Sequence, residues 1–388
     1  MNVLFLTHSF PRAAGDAPGS FILRLATALR DKSVNVHVVA PSSAGVPSLD
    51  TLDGITVERF RYAPRRYEKL AYTGTMAQDV ASSWSARLAL IGFMGSDFVA
   101  AVRARRTSQP DVIHAHWWFP SGVIGSWVSR LSHRPLVTTL HGTDVRMARN
   151  VAVSRPLFRH VLRQSAAVTT VSSWLSAEVR AVLPSVTPSI APMPADTSRY
   201  TPGGRRENTR LLFVGRFTPQ KGLDHLLRAL SLMKRPAVLD VVGNGGNGEL
   251  YRALAHELGV SDRLVWHGHL RSDQLAGLYR AAAALVVPSV GEGLGLVAVE
   301  ALLCETPVVA FRSGGLTDVI QDGSTGVLVQ PGDAFALASA LDGVIVDPER
   351  ARILGAAGRL YALSTFSPES AAQRYSDIYT KVLETHSA

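Results

Sequence analysis

Two segments about seventy residues apart carry charges that could hold a phosphorylated ligand. Gly215-Arg216-Phe217-Thr218-Pro219-Gln220-Lys221-Gly222 sets a guanidinium and an ammonium on a turn bounded by Gly and Pro. A planar fork and a point cation on such a turn can meet several phosphate oxygens without rearranging, and preorganised cations of this kind stabilise charge on a departing group. Gly291-Glu292-Gly293-Leu294-Gly295-Leu296-Val297-Ala298-Val299-Glu300 places Glu292 in a loop and Glu300 inside the helix that follows. Glu300 lies about five residues into that helix, roughly 7.5 Å along its axis, so the two carboxylates can address different parts of one ligand. Gly293 and Gly295 leave amides bare at the helix start, where a diphosphate would fit. A glutamate flanked by Val299, Ala301 and Leu302 is costly to bury unless it is hydrogen-bonded.

Other residues of chemical type lie where strands should end. His141-Gly142-Thr143-Asp144 closes a strand read over 136–141, at the carboxyl edge where open α/β sheets bind ligands, and Asp144 is placed to orient the turn. Ser313-Gly314-Gly315-Leu316-Thr317 follows a strand at 308–311 and opens a short helix, which offers its amides to a sugar or phosphate. The loop 10–20, with Gly15, Pro18 and Gly19, leaves the first strand toward the same edge. His114 and His116, beside Trp117 and Trp118, lack a third ligand of suitable spacing and are expected to line a core or cleft rather than hold a metal. No Asp-x-Asp pair for a divalent ion occurs.

Gly243-Asn244-Gly245-Gly246-Asn247-Gly248 fits GxGxxG, with Asp262 about twenty residues on, so a nicotinamide cofactor has to be weighed. The placement opposes it, because the ribose-binding acid should end the next strand whereas Asp262 precedes the strand at 264–267. This turn is expected to pack close to the phosphates instead.

The elements that must position these residues alternate short apolar strands with amphipathic helices, the pattern of parallel sheets covered on two faces. Strands are read at 3–7, 34–40, 56–61, 112–116, 136–141, 167–171 and 188–191, then at 210–214, 237–242, 264–267, 284–287, 308–311 and 326–329. Helices are read at 20–30, 84–105, 122–131, 156–164 and 173–182, with two closing helices at 348–363 and 368–384. A stretch rich in Pro, Gly and Arg over 192–208 interrupts the periodicity as a linker would.

At 388 residues the chain exceeds what one core usually spans, so two domains are expected, and 46% apolar against 18% charged residues suits a globular α/β protein. Cys304 is the single cysteine, set among apolar neighbours, and reads as a buried core thiol in a reducing cytoplasm. No signal peptide is read, and no apolar run reaches the roughly 18 residues of a membrane span. The net charge of +9 is lopsided: residues 1–190 hold 21 Lys/Arg against 11 Asp/Glu, and the remainder 19 against 20. Arg59, Arg61, Arg65, Arg66 and Lys69 are interleaved with Phe60, Tyr62, Tyr67 and Tyr72, and Arg103, Arg105 and Arg106 form a second group. Such a mixture could meet an anionic membrane, or it could be a solvated Arg-rich surface; no nucleic-acid-binding module accompanies it.

From the first strand to the last helix, these motifs resemble the family 4 glycosyltransferases of the GT-B fold. The resemblance implies two Rossmann-like α/β domains with a ligand cleft between them: residues 1–191 for the acceptor, 192–208 as linker, 209–365 for the donor, and a helix at about 366–388 crossing back to the first domain. It implies a cytoplasmic, retaining hexosyltransferase that uses a nucleotide-diphosphate sugar and a hydroxyl acceptor and needs no metal or other cofactor. Polysaccharide, lipid-linked glycan and secondary-metabolite acceptors all stay open.

Carried over by position, the catalytic set is His141, Arg216, Lys221 and Glu292. Glu300 takes the ribose hydroxyls, and Arg216 and Lys221 share the diphosphate with the segment Gly293, Leu294, Gly295 and Leu296. Gly268, His269 and Leu270 touch the base. His141 touches the donor hexose, with Glu292, Asp144, Gly314 and Gly315 on the sugar side, and Gly19 sits in the loop that approaches acceptor and donor phosphate. The chain departs from the family in lacking an adjacent glycine pair in that loop. Relatives are thought to react on one face, the leaving diphosphate helping to deprotonate the acceptor; an inverting enzyme would need a base, for which His8 is the candidate. Two other readings stay open: a sugar-nucleotide epimerase or hydrolase, which would consume donor without acceptor, and a catalytically idle sugar-nucleotide-binding protein.

Overall fold

The computed structural model describes residues 1–72 and 76–387. Two compact units divide the chain, one formed by Met1–Pro194 with the chain from Pro368 onward, the other by Ala195–Ser367.

The first unit is built on eight strands: β1 (Asn2–Leu6), β2 (Asn35–Pro41), β3 (Leu49–Leu52), β4 (Ile55–Phe60), β5 (Val112–His116), β6 (Leu136–Leu140), β7 (Ala167–Thr170) and β8 (Ser189–Ile190). Their order is β3-β4-β2-β1-β5-β6-β7-β8, with every pairing parallel except β3 with β4. Residues of β5 and β6 are buried throughout, His114 and His116 of β5 and Thr138 and Thr139 of β6 included. The chain leaves β1 in one direction to build β2 and β4, then returns to place β5 on the other side. That reversal makes the edge beyond β1 and β5 the topological switch point, the usual ligand position in such sheets.

The second unit carries β9 (Glu207–Val214), β10 (Val238–Val242), β11 (Leu264–Gly268), β12 (Ala282–Val287), β13 (Val308–Phe311) and β14 (Gly326–Val329). All are parallel, in the order β11-β10-β9-β12-β13-β14, so here the switch lies between β9 and β12. Leu211, Phe213, Leu226, Leu230, Val286 and Phe311 form part of its core. Cys304 is buried, and that burial pushes its thiol up to about 12.

The last helix, Pro368–Ser387, belongs to the first unit. Tyr379 Oη lies 2.7 Å from His114 Nδ1, Tyr375 Oη donates to Ala191 O at 3.2 Å, and Lys32 Nζ donates to Gln373 Oε1 at 2.8 Å. Residue 388 of the expected crossover lies outside the described residues.

Several elements differ from the sequence reading. β3 is an additional antiparallel edge strand, and helices Met76–Ser82 and Thr143–Asn150 occupy stretches read without structure. The stretch 192–208 is partly packed: Ala195 N donates to Phe366 O at 2.9 Å, Tyr200 is buried, and Glu207 already opens β9. The basic and aromatic segment is also partly internal. Arg59 is 3% exposed and Phe60 is buried, because β4 sits between β2 and β3 rather than at an edge, and Tyr62 is buried against Phe93 with ring centroids 5.0 Å apart. Helix Trp84–Ser108 is long and apolar enough to cross a membrane, contrary to the reading from apolar runs, yet one of its faces is packed into the unit's core.

Candidate active site

In the second unit the charged segments meet. Gly215 follows β9, and Pro219–Lys221 forms a short 3-10 turn; residues 288–295 follow β12, the neighbouring strand. Lys221 Nζ is ion-paired with Glu292 Oε1, and both side chains are largely covered. The backbones are stitched beside that pair: Val290 N donates to Gln220 O at 2.9 Å, and Gln220 Nε2 donates to Gly291 O at 3.3 Å. Arg216 stands on the same turn, exposed to solvent.

Helix Leu296–Leu303 opens behind Gly295, whose φ of 95° caps it in the left-handed region. Glu300 lies inside this helix, half-buried, and its Oε2 accepts from Tyr279 Oη at 2.9 Å. Tyr279 is fully buried, and burial beside Glu300 raises its phenol well above the usual range, so it is a donor at any ordinary pH. Sequence reasoning missed Tyr279, since nothing local marks a tyrosine 21 positions from its partner.

The loop after β13 packs directly on the loop holding Glu292. Gly291 N donates to Ser313 Oγ at 3.0 Å and Gly315 N to Glu292 O at 2.8 Å. A Cβ on Gly314 or Gly315 would lie 2.5 Å from Glu292 O or 2.2 Å from Gly293 O, so these glycines admit a backbone neighbour, and the Gly315 amide is engaged inside the fold. The GxGxxG turn does the same for the first segment. Gly215 N donates to Val242 O, Phe217 N to Asn244 O, and a Cβ on Gly243 would stand 1.9 Å from Gly215 O. Asp262 lies in the 3-10 turn Ser261–Arg263 ahead of β11, where it cannot serve a ribose at a strand end. Gly268, His269 and Leu270 lead out of β11, with Gly268 O accepting from Gly243 N at 2.8 Å and His269 exposed.

In the first unit a cluster of rings lies at the ends of β1, β5 and β6. His141 stacks against Trp117 at 4.3 Å and Phe21 at 5.4 Å, and its Nε2 is 3.2 Å from His116 Nδ1. Burial, reinforced by His116 and His8, holds His141 well below the usual histidine range, so it is neutral. Asp144 Oδ1 accepts from Gly142 N at 2.8 Å and His141 N at 3.2 Å, which fixes the turn as its motif implied; burial still pushes its carboxyl up to about 6. His8 lies 4.2 Å from Trp117, and burial lowers it to about 4. Gly19 caps helix Ser20–Asp31 with φ 71°, and a Cβ there would meet Ser9 O at 2.3 Å. His114 is a core residue bonded to Thr139 Oγ1 and Tyr379, and no group of three or more metal-ligating side chains occurs among the described residues.

The two halves match two family descriptions: residues 199–361 match glycosyl transferases group 1, and residues 19–199 match glycosyltransferase family 4. D-inositol 3-phosphate glycosyltransferase of Thermobispora bispora is 30% identical, over 95% of this chain and 91% of that protein. The chain belongs to the family 4, group 1 glycosyltransferases. As such it is a transferase enzyme, and its two parallel-sheet units are those of the GT-B fold. Sucrose-phosphate synthase from Thermosynechococcus elongatus superimposes with a TM-score of 0.82 at 23% identity, covering 99% of each chain. Anabaena HepE in complex with UDP-glucose superimposes with a TM-score of 0.75 at 19% identity, covering 98% of this chain and 100% of that one.

Proposed function

We propose that this glycosyltransferase moves a hexosyl group from a nucleotide-diphosphate sugar to a hydroxyl of a polysaccharide, lipid-linked glycan or secondary metabolite. In this reading it acts with retention and without a metal ion. The observation that carries the reading is the meeting of Lys221 and Glu292 from neighbouring strands at a switch point, with exposed Arg216 on the same turn. The solved HepE complex, which holds UDP-glucose on the same fold, supports this class of donor.

Before donor arrives, Glu292 holds the Lys221 ammonium over the edge of the sheet. The diphosphate then gives Lys221 a second set of oxygens, Arg216 adds its fork, and Glu292 is left beside the hexose. As the bond from the anomeric carbon to the diphosphate breaks, its electron pair goes to the leaving oxygen, and the two cations offset that charge. The acceptor oxygen bonds to the same face of the anomeric carbon, and its proton passes to the diphosphate. His8 supports a route without a protein base, because a histidine lowered to about 4 by burial takes up a proton poorly at neutral pH. The basic excess of the first half fits an enzyme that works in the cytoplasm against an anionic membrane.

Lys221→Ala tests the assignment. Removing a preorganised donor should lower kcat by about 100- to 1,000-fold while donor KM moves far less. An unchanged kcat removes Lys221 from the mechanism. Product NMR should show the donor's anomeric configuration, and turnover should survive EDTA. An inverted linkage overturns retention, and donor consumption that needs no acceptor favours the epimerase or hydrolase.

A further inference from the structure

We infer that the outward face of helix Trp84–Ser108 seats the enzyme on an anionic lipid bilayer. The inference rests on the membrane reading above and gives it a surface that the basic segment alone does not supply.

The helix is two-sided. Ala89, Phe93, Ala100, Ala101 and Ala104 face the core, while Trp84, Leu88, Ile91 and Val99 are 77%, 68%, 70% and 59% exposed. At about 100° per residue those four fall within one stripe, which runs roughly 20 Å along the axis. The neighbouring helix Val123–Ser132 extends it: Trp127 and Leu131 are exposed, and Trp127 packs edge-on against Phe98 with ring centroids 6.0 Å apart. Large apolar side chains gathered this way mark an interaction surface rather than ordinary scatter.

The charge around the stripe identifies what covers it. Arg87, Arg103 and Arg106 are exposed on the same helix, and its single acid, Asp97, is turned into the core at 1% exposure. Arg87 lies over the Trp84 ring at 4.7 Å, the pairing of indole and cation that suits the headgroup level of a membrane. Beside Val99 opens a groove of about 350 Å³, with Arg59, Arg61 and Arg103 among its lining residues. Arg103 lies 3.7 Å from Glu58, which also lines it. An anionic lipid satisfies both features, acyl chains taking the stripe and phosphates the cations. A second copy of the chain would bring like-charged rims together, and a nucleic acid would leave Leu88 and Ile91 without a partner.

The test uses the full-length enzyme in flotation with vesicles of phosphatidylcholine, alone or with about one third phosphatidylglycerol. Wild type should float with the anionic vesicles and bind neutral ones about tenfold more weakly or worse, with binding reduced by salt. Leu88→Glu with Ile91→Glu should abolish flotation while soluble-substrate turnover and melting temperature stay as in wild type, since both side chains are exposed. Arg103→Glu with Arg106→Glu should weaken anionic binding about tenfold or more. Undiminished flotation of the Leu88/Ile91 variant overturns this surface while leaving membrane contact standing, and failure of wild type to float overturns both. A concentration-dependent dimer that the Leu88/Ile91 variant dissolves assigns the face to a second copy and overturns the lipid proposal. None of these outcomes bears on donor chemistry, which the Lys221→Ala experiment addresses.

Discussion

Tyr279→Phe removes a single oxygen from the second unit, and that oxygen donates to the carboxylate assigned to the donor ribose. The phenol is fully buried, 2.9 Å from Glu300 Oε2, and its ring is held edge-on by Tyr200 at 5.6 Å, so a phenylalanine should keep the same place. A hydrogen bond to a charged group contributes about 1.5–3 kcal/mol, and a carboxylate released from it turns to the ribose less often. If about 1.4 kcal/mol of that reaches binding, donor affinity falls about tenfold. Calorimetric titration with nucleoside diphosphates and their sugars should show this loss, with kcat within about twofold of wild type because no group near the anomeric carbon has changed. Repeating the titration with 2′-deoxyribose nucleotides separates positioning from general damage. The ratio of variant to wild-type affinity should shrink toward one, since a hydroxyl that Glu300 would hold is gone. An equal ratio for ribo- and deoxyribonucleotides refutes the reasoning, as does unchanged affinity for the ribonucleotides.

Asp97 is 1% exposed, both its oxygens lack a hydrogen-bond partner among the described residues, and burial raises its carboxyl well above the usual range. The fold therefore favours the neutral form: stability from this site is full below the unfolded value of about 3.9 and falls as pH rises toward the folded value. Asp97→Asn should then be more stable than wild type by about 1–3 kcal/mol at about pH 8 and equal to it at about pH 4, read by calorimetric melting; a pH-independent gap refutes this. Gly243→Ala should cost about 2 kcal/mol or more, because its Cβ would lie 1.9 Å from Gly215 O at a φ of 136°. Gly246→Ala, with nothing within 4 Å, should stay within about 0.5 kcal/mol of wild type, and equal melting of the two variants would remove this packing as the support of the Arg216 turn.

The predictions divide along the same line that separates what the sequence displays from what it hides. Strands covered on both faces read as apolar runs, so 308–311 and 326–329 coincide with β13 and β14. β3 has no such run, being an edge strand with Leu49 exposed, and helix Thr143–Asn150 begins inside a motif that reads as a turn. Residue types at the site are local facts, whereas partners are set by strand order. Lys221 meets Glu292 because β12 returns to lie beside β9 after β10 and β11 have built outward, and no spacing in the chain encodes that return. Tyr279 is hidden for the same reason, looking like a core aromatic until the fold brings its hydroxyl to Glu300. The basic segment is legible only in part. Arg61, Arg65, Arg66 and Lys69 are exposed as that segment suggests, whereas Arg59 is buried on β4 between β2 and β3; the apolar stripe lies instead on helix Trp84–Ser108, where Arg87, Ser96, Asp97 and Arg103 break up the apolar runs. A helix face is gathered from residues three and four apart, so exposure along that stripe, rather than the density of charge in a segment, is what locates a docking surface.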